Sequence, residues 1–145
     1  CWNTGVVVAD HDTSIGLSGP ELQAEEPVKI ASALAPFGMR FAQAPAGFMD
    51  IGIEVPNHSD HYEPFNVPGP GDLAWDINGE MRTHEQALLA AENVDPQRRL
   101  VHDTSLAQDA QLLVNAIASG GSLVLAHKGS AEEYLRIAEQ AKATL

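Results

Sequence analysis

An α/β fold, with a mostly parallel sheet, flanking helices and an antiparallel edge, is predicted by three features of the sequence. From residue 99 onward, strand-like and helix-like patterns alternate. A strand, helix, strand order at this spacing implies a crossover that brings the two strands side by side in parallel. Thr83 with Gln86 and Ser130 with Glu133 are capping boxes, which mark two helix starts. Asn78-Gly79 lies between two short extended runs, a strong signal for a two-residue hairpin and hence for an antiparallel pair. The 145 residues are read as one domain, 1–145, long enough to bury a hydrophobic core.

Taken in order, Val6-Val7-Val8 is a β-branched run ending at Asp10-His11-Asp12, so it predicts a buried strand meeting a turn. A weaker strand follows at 15–19, closed by Gly19-Pro20, and another at 28–34, confined by Pro27 and Pro36. Met49, Ile51, Ile53 and Val55 alternate with Asp50, Gly52 and Glu54, the period of two of a half-exposed edge strand. Residues 56–71 hold four prolines, two glycines and two histidines without periodicity, and predict a loop. A strand at 72–76 and its return at 80–82 flank the hairpin turn. The helix opened by Thr83 is expected to run to about Val94, with Ala87, Leu88 and Ala91 inward, before Asp95-Pro96 stops it.

A strand is predicted at 99–103, then a helix whose inner face is Leu106, Ala110, Leu113, Val114 and Ile117, ended by a left-handed cap at Gly120-Gly121. Residues 122–127, centred on Leu123-Val124-Leu125, predict a buried strand. The last helix presents Ala131, Tyr134, Leu135, Ala138 and Ala141 on one face.

Twenty acidic against eight basic residues give a formal charge of -12. Such a field repels phosphate backbones and anionic lipid surfaces, which argues against nucleic-acid and membrane binding. No apolar run approaches the ~18–20 residues of a membrane span, and a cytoplasmic location is expected. The single Cys cannot form an intrachain disulfide. Cys1 begins the chain without an initiator Met or a leader pattern, which suggests a fragment ahead of the alternative, a lipid-bearing mature terminus.

Several clusters have the residue types of a reactive site. His58, Asp60 and His61 could ligate a divalent metal, because neutral imidazole and carboxylate suit zinc, iron or manganese. The plainer reading is a solvated polar loop, since a Pro-rich segment offers no rigid scaffold and a further ligand must come from elsewhere. His11 between Asp10 and Asp12 could be an oriented base, or the aspartates could satisfy a turn. His102-Asp103 closes a predicted strand, and Ser105 follows at the carboxyl end of that strand, where open α/β sheets bind ligands. Capping the next helix is the commoner task for Ser105. Neither a Gly-x-Gly-x-x-Gly nor a Gly-x-x-x-x-Gly-Lys-Ser/Thr pattern occurs.

The order of segments resembles one family, the N-terminal domain of adenylate-forming enzymes (acyl-CoA synthetase-like proteins), and most closely a short actinobacterial subgroup of unassigned function. Residues 1–8 are similar to that domain's helix end and Val-rich strand. Asp72-Leu73-Ala74-Trp75 is similar to the strand entering its phosphate loop, and Arg82 to Ala90 to the Thr-His-rich helix start beyond it. Ala118 to Leu125 is similar to the glycine turn and strand that follow. The resemblance implies a partial version of that domain's architecture. In active members the phosphate loop is Ser/Thr/Gly-rich and ends in Pro-Lys-Gly. Here only Asp76 to Met81 lies between the flanking segments, with carboxylates at Asp76 and Glu80. Like charges 4 Å apart at an effective dielectric of ~20 repel by about 4 kcal/mol, so this stretch disfavours a triphosphate. The resemblance also implies that the substrate-pocket and adenine motifs and the adenylation Lys would fall after Leu145.

No catalytic or cofactor-binding residue is therefore carried over, and no cofactor is expected. The expectation is a degenerate, non-catalytic acyl-CoA synthetase-like domain acting as an interaction or regulatory module, with a protein partner or as a homodimer. The alternatives are a small-ligand or metal-dependent enzyme using His58, Asp60 and His61, and a domain that binds an acyl or acyl-CoA ligand without chemistry.

Overall fold

The computed structural model describes residues 2–59, 61, 63–64, 66–126 and 128–145. Cys1 and Asp60, singled out above, lie outside the described residues. The fold is mixed α/β, with the strands β1 (Val8–Ala9), β2 (Ile15–Ser18), β3 (Val28–Ala31) and β4 (Met49–Asp50), then the helix α1 (Ile51–Glu54). There follow β5 (Leu73–Ile77), β6 (Glu80–Thr83), α2 (His84–Ala90), β7 (Arg98–Val101), α3 (Leu106–Ser119), β8 (Ser122–Leu125) and α4 (Ala131–Ala141). The strands form three small sheets, ordered β1-β5-β6, β2-β3-β4 and β7-β8. Every pairing is parallel except β5 with β6, so the parallel character and the antiparallel edge are both present. The chain groups into two compact units, Cys1–Asp10 with Phe65–Leu145 and His11–Pro64.

In the larger unit, β5 is central because it is the strand with the most to bury. Ala74, Trp75 and Ile77 are buried and join Ala87 and Ala91 beside α2 with Ala107, Ala110 and Val114 of α3 in one core cluster. Trp2 caps this cluster: its indole N–H donates to the carbonyl of Ala74 at 3.0 Å, and its ring lies 5.9 Å from that of Trp75. A second cluster joins Leu100, Tyr134 and Ala138, where α4 covers β7. The chain end returns alongside β7, with the Leu100 N–H donating to the carbonyl of Thr144 at 2.7 Å.

Several expectations change in this unit, among them the inward positions of Leu88 and Leu135, which are exposed. The buried strand at Val6-Val7-Val8 shrinks to β1, and Val6 and Val7 are exposed. With β5 as its one partner, β1 sits at a sheet edge. The strand at 122–127 ends at Leu125, which is 72% exposed, because a two-stranded sheet leaves it too little cover; His127 lies outside the described residues. On α3 the buried face is Ala107, Ala110 and Val114, while Leu106, Leu113 and Ile117 are exposed. Small residues, Ala87 on α2 with Ala107 and Ala110 on α3, let the two helices approach closely. Gln111 reinforces it by donating to the carbonyl of Ala87 at 3.0 Å. The helix after Thr83 also stops at Ala90, earlier than expected.

The smaller unit is the parallel sheet β2-β3-β4, in which Ile15 pairs with Val28 and Ile30 with Met49. The strand expected at 49–55 stops after Asp50. That carboxylate, 5% exposed, accepts the N–H groups of Gly52 and Phe41, both at 2.9 Å, and caps α1. An N-cap side chain competes directly with strand continuation, and alternation over seven residues is too short to outweigh it.

Candidate functional site

The β5–β6 hairpin occupies the stretch where the resemblance places a phosphate loop. Ile77 pairs with Glu80, and the turn is Asn78-Gly79 alone, with φ of 52° and 75°. Both values are left-handed, as a two-residue type I′ turn requires, and Asn with Gly tolerates them at least cost. An anion cradle needs free backbone N–H groups, and the turn does not offer the one at Asn78. The Asp10 carboxylate, at the end of β1, accepts the Asn78 N–H at 2.9 Å. Asp10 thus ties the hairpin to the strand end and places a negative charge beside the turn. Glu80 is met by the Arg82 guanidinium at 3.4 Å on the surface, which offsets part of its charge. That neutralisation is absent from the carboxylate count made on the sequence.

The second arrangement lies at the carboxyl ends of β7 and β8, which are adjacent because the strands are parallel and Val101 pairs with Leu125. His102 and Asp103 leave β7 together. Asp103 takes a left-handed φ of 52°, which Asp tolerates better than most residues. Its carboxylate accepts from His102 Nδ1 at 3.1 Å and from the Tyr134 hydroxyl at 3.3 Å. The Tyr134 ring stacks on His102 with centroids 4.1 Å apart, and its oxygen accepts the Gly129 N–H at 2.9 Å. A carboxylate can only accept, so this contact places a proton on Nδ1 and leaves Nε2 of the neutral ring with its lone pair. The group borders a cavity of about 320 Å³ lined also by Thr104, Asp109 and Leu125. Thr104 donates to the Asp109 carboxylate. The arrangement can accept a hydrogen bond or a proton from a small polar molecule. With the side chains of His102 and Asp103 36% and 66% exposed, water screens the pair strongly.

Ser105 is the N-cap of α3: its hydroxyl accepts the Gln108 N–H, and the Gln108 side chain accepts the Ser105 N–H at 2.9 Å. Asp10 accepts the Asn78 N–H, a contact outside the local turn that the sequence expected of it. His58 and His61 are exposed, and His61 Nε2 lies 3.3 Å from Glu63 with both side chains more than four-fifths exposed. Among the described residues, no group of three or more His, Cys, Asp and Glu is placed to hold a metal ion; Asp60 is not one of those residues.

Sequence reasoning placed Tyr134 on an apolar helix face and did not foresee its hydroxyl reaching Asp103. The available signal was its position next to the capping-box residue Glu133, on the first turn of a helix. A phenol there can reach back to the loop that precedes the helix. Likewise His84 was read only as part of a helix start.

No protein-family model, curated protein or solved structure matches this chain. Among the described residues, no helix is long and apolar enough to cross a membrane.

Proposed function

We propose that the chain is a non-catalytic binding module, similar to part of the adenylate-forming N-terminal domain, that does not bind and activate ATP. The observation supporting this is the closed hairpin turn whose Asn78 N–H is held by the Asp10 carboxylate. A triphosphate approaching this turn would have to displace an internal anion in a protein of formal charge -12. On this reading the chain acts as an interaction or regulatory module in the cytoplasm. The exposed Leu106, Leu113 and Ile117 on α3 support a contact with a partner, here expected to be a second copy.

Isothermal titration calorimetry with MgATP tests the reading. No heat of binding is expected up to millimolar nucleotide, and micromolar binding would overturn it. Light scattering at high protein concentration tests the dimer, and a monomer mass would exclude it.

A further inference from the structure

The smaller unit has a sheet face that its own connections leave open. In a parallel pair, residues in register lie on the same side of the sheet. Ile15 is in register with Val28, Leu17 with Ile30, and Ile30 with Met49, so these five apolar side chains share one face of β2-β3-β4. Gly16, Lys29, Ala31 and Asp50 lie on the other side. Both connections of the sheet pack there: Ala24 and Glu26 occupy the space that a Cβ on Gly16 would need, and Asp50 accepts the Phe41 N–H at 2.9 Å. Crossovers of one hand that step the same way along a sheet fall on one side of it, so the apolar face receives neither. Leu17 is 70% exposed, and Ile15, Val28 and Met49 are exposed beside it. Parallel sheets are normally covered on both faces, and a contiguous apolar patch left in the open marks an interaction surface.

We propose that this face binds a basic amphipathic helix of a partner protein. The dimensions select a helix. Three strands ~4.8 Å apart make a face about 10 Å wide, the breadth of one helix. The four residues of β2 and of β3 make it ~13 Å long, the rise of about nine helical residues. A helix seated there presents an apolar stripe at i, i+3, i+4 and i+7. The charge selects a basic one. Residues 11–64 hold eight acidic residues against Lys29 and Arg40, and Lys29 lies on the covered side, 5.8 Å from the centre of the Phe48 ring. An acidic field attracts a cationic helix and repels a second copy of itself. The face is also much smaller than the ~800 Å² per partner of a stable dimer. The proposal rests on the reading of the chain as an interaction module and gives that module a partner class.

The test uses three fluorescein-labelled peptides of about fourteen residues, long enough to span the face. One has leucines at i, i+3, i+4 and i+7 with lysines and alanines elsewhere; the second replaces each lysine by glutamate; the third scrambles the first so that no stripe remains. Fluorescence anisotropy in 0.15 M salt is expected to give the striped basic peptide a Kd of about 10–100 μM, and the other two at least tenfold weaker binding. Leu17→Gln, at an exposed position, should weaken the striped peptide roughly tenfold, whereas Leu113→Gln on α3 should leave it unchanged. Amide shifts of the ¹⁵N-labelled parent, which need no variant to fold, should move most in β2, β3 and at Met49.

Equal binding of the striped and scrambled peptides would overturn the proposal, since charge alone would then account for the affinity. So would equal binding of the acidic peptide, no binding of the striped one at millimolar concentration, or amide shifts centred on α3. A dimer that Leu17→Gln converts to monomer would assign the face to a second copy and overturn it too. Failure of the striped peptide with MgATP still silent removes the partner class alone, whereas MgATP binding removes the underlying reading.

Discussion

Replacing Tyr134 by Phe removes one oxygen and leaves the ring, so it isolates the hydroxyl that links α4 to the strand-end site. Tyr134 is 4% exposed, and its oxygen serves two partners, the Gly129 N–H at 2.9 Å and Asp103 Oδ1 at 3.3 Å. Asp103 is mostly exposed, and water replaces the lost donor there at little cost. Gly129 is only half-exposed, and its N–H loses its acceptor beneath the ring. A half-buried donor left unmet costs ~1–2 kcal/mol, a considerable part of the ~5–15 kcal/mol that holds a typical domain together. At an m-value of about 2 kcal/mol/M, the urea midpoint followed by far-UV circular dichroism should fall by roughly 0.5–1 M, with m unchanged. Tyr134→Ala should cost ~3–5 kcal/mol, because it also vacates the packing against Leu100 and Ala138. A Tyr134→Phe midpoint within about 0.1 M of the parent would refute the assignment of the hydroxyl as the link between Gly129 and the site.

Other expectations follow from the same geometry. Ile77→Ala, at a position 0% exposed in the main core, should lose ~2–5 kcal/mol in the same denaturation assay. At the end of α3, Gly121→Ala should cost more than Gly120→Ala. A Cβ at 121 would stand 2.5 Å from the Gln97 carbonyl oxygen, forcing backbone to move at ~1–3 kcal/mol, whereas at 120 it meets only the φ of +75° in open space, at ~1 kcal/mol. Equal thermal midpoints for the two would contradict that ranking. The Ser130 backbone N–H and then its hydroxyl hold the Glu133 carboxyl below its ordinary value of 4.5. A depressed carboxyl contributes stability that is present above the unfolded value and lost as pH falls through the folded one. Glu133→Gln, which retains a capping box, should therefore lose less stability than the parent between about pH 5 and pH 3. Identical pH profiles would show that the cap is indifferent to charge.

Local signals carried much of the fold. The capping boxes at Thr83, Ser105 and Ser130 form with both of their reciprocal bonds, and Ser105 had been given a cap from its place between strand and helix. The Asn78-Gly79 turn and the left-handed Gly120 also stand where their side-chain chemistry requires. Each depends on atoms within a few residues, so neighbouring sequence suffices to specify it. The strand at 49–55 went the other way because Asp50, a short-range cap, outcompeted an alternation that needed a distant partner to be realised.

What the sequence by itself determined is the alternation of strands and helices, the acidic character, and the hairpin turn at Asn78-Gly79. Tertiary structure decided the rest: that the strands divide among three sheets, that Asp10 reaches across 68 positions to Asn78, and that Tyr134 closes over His102 and Asp103. It also decided which apolar side chains are covered, leaving Leu88 and Ile117 exposed at the rim of a cavity. The physical reason is one of range. Capping and turn geometry are settled by bonds a few residues long, whereas burial and side-chain pairing depend on which surfaces meet after the chain has closed long loops.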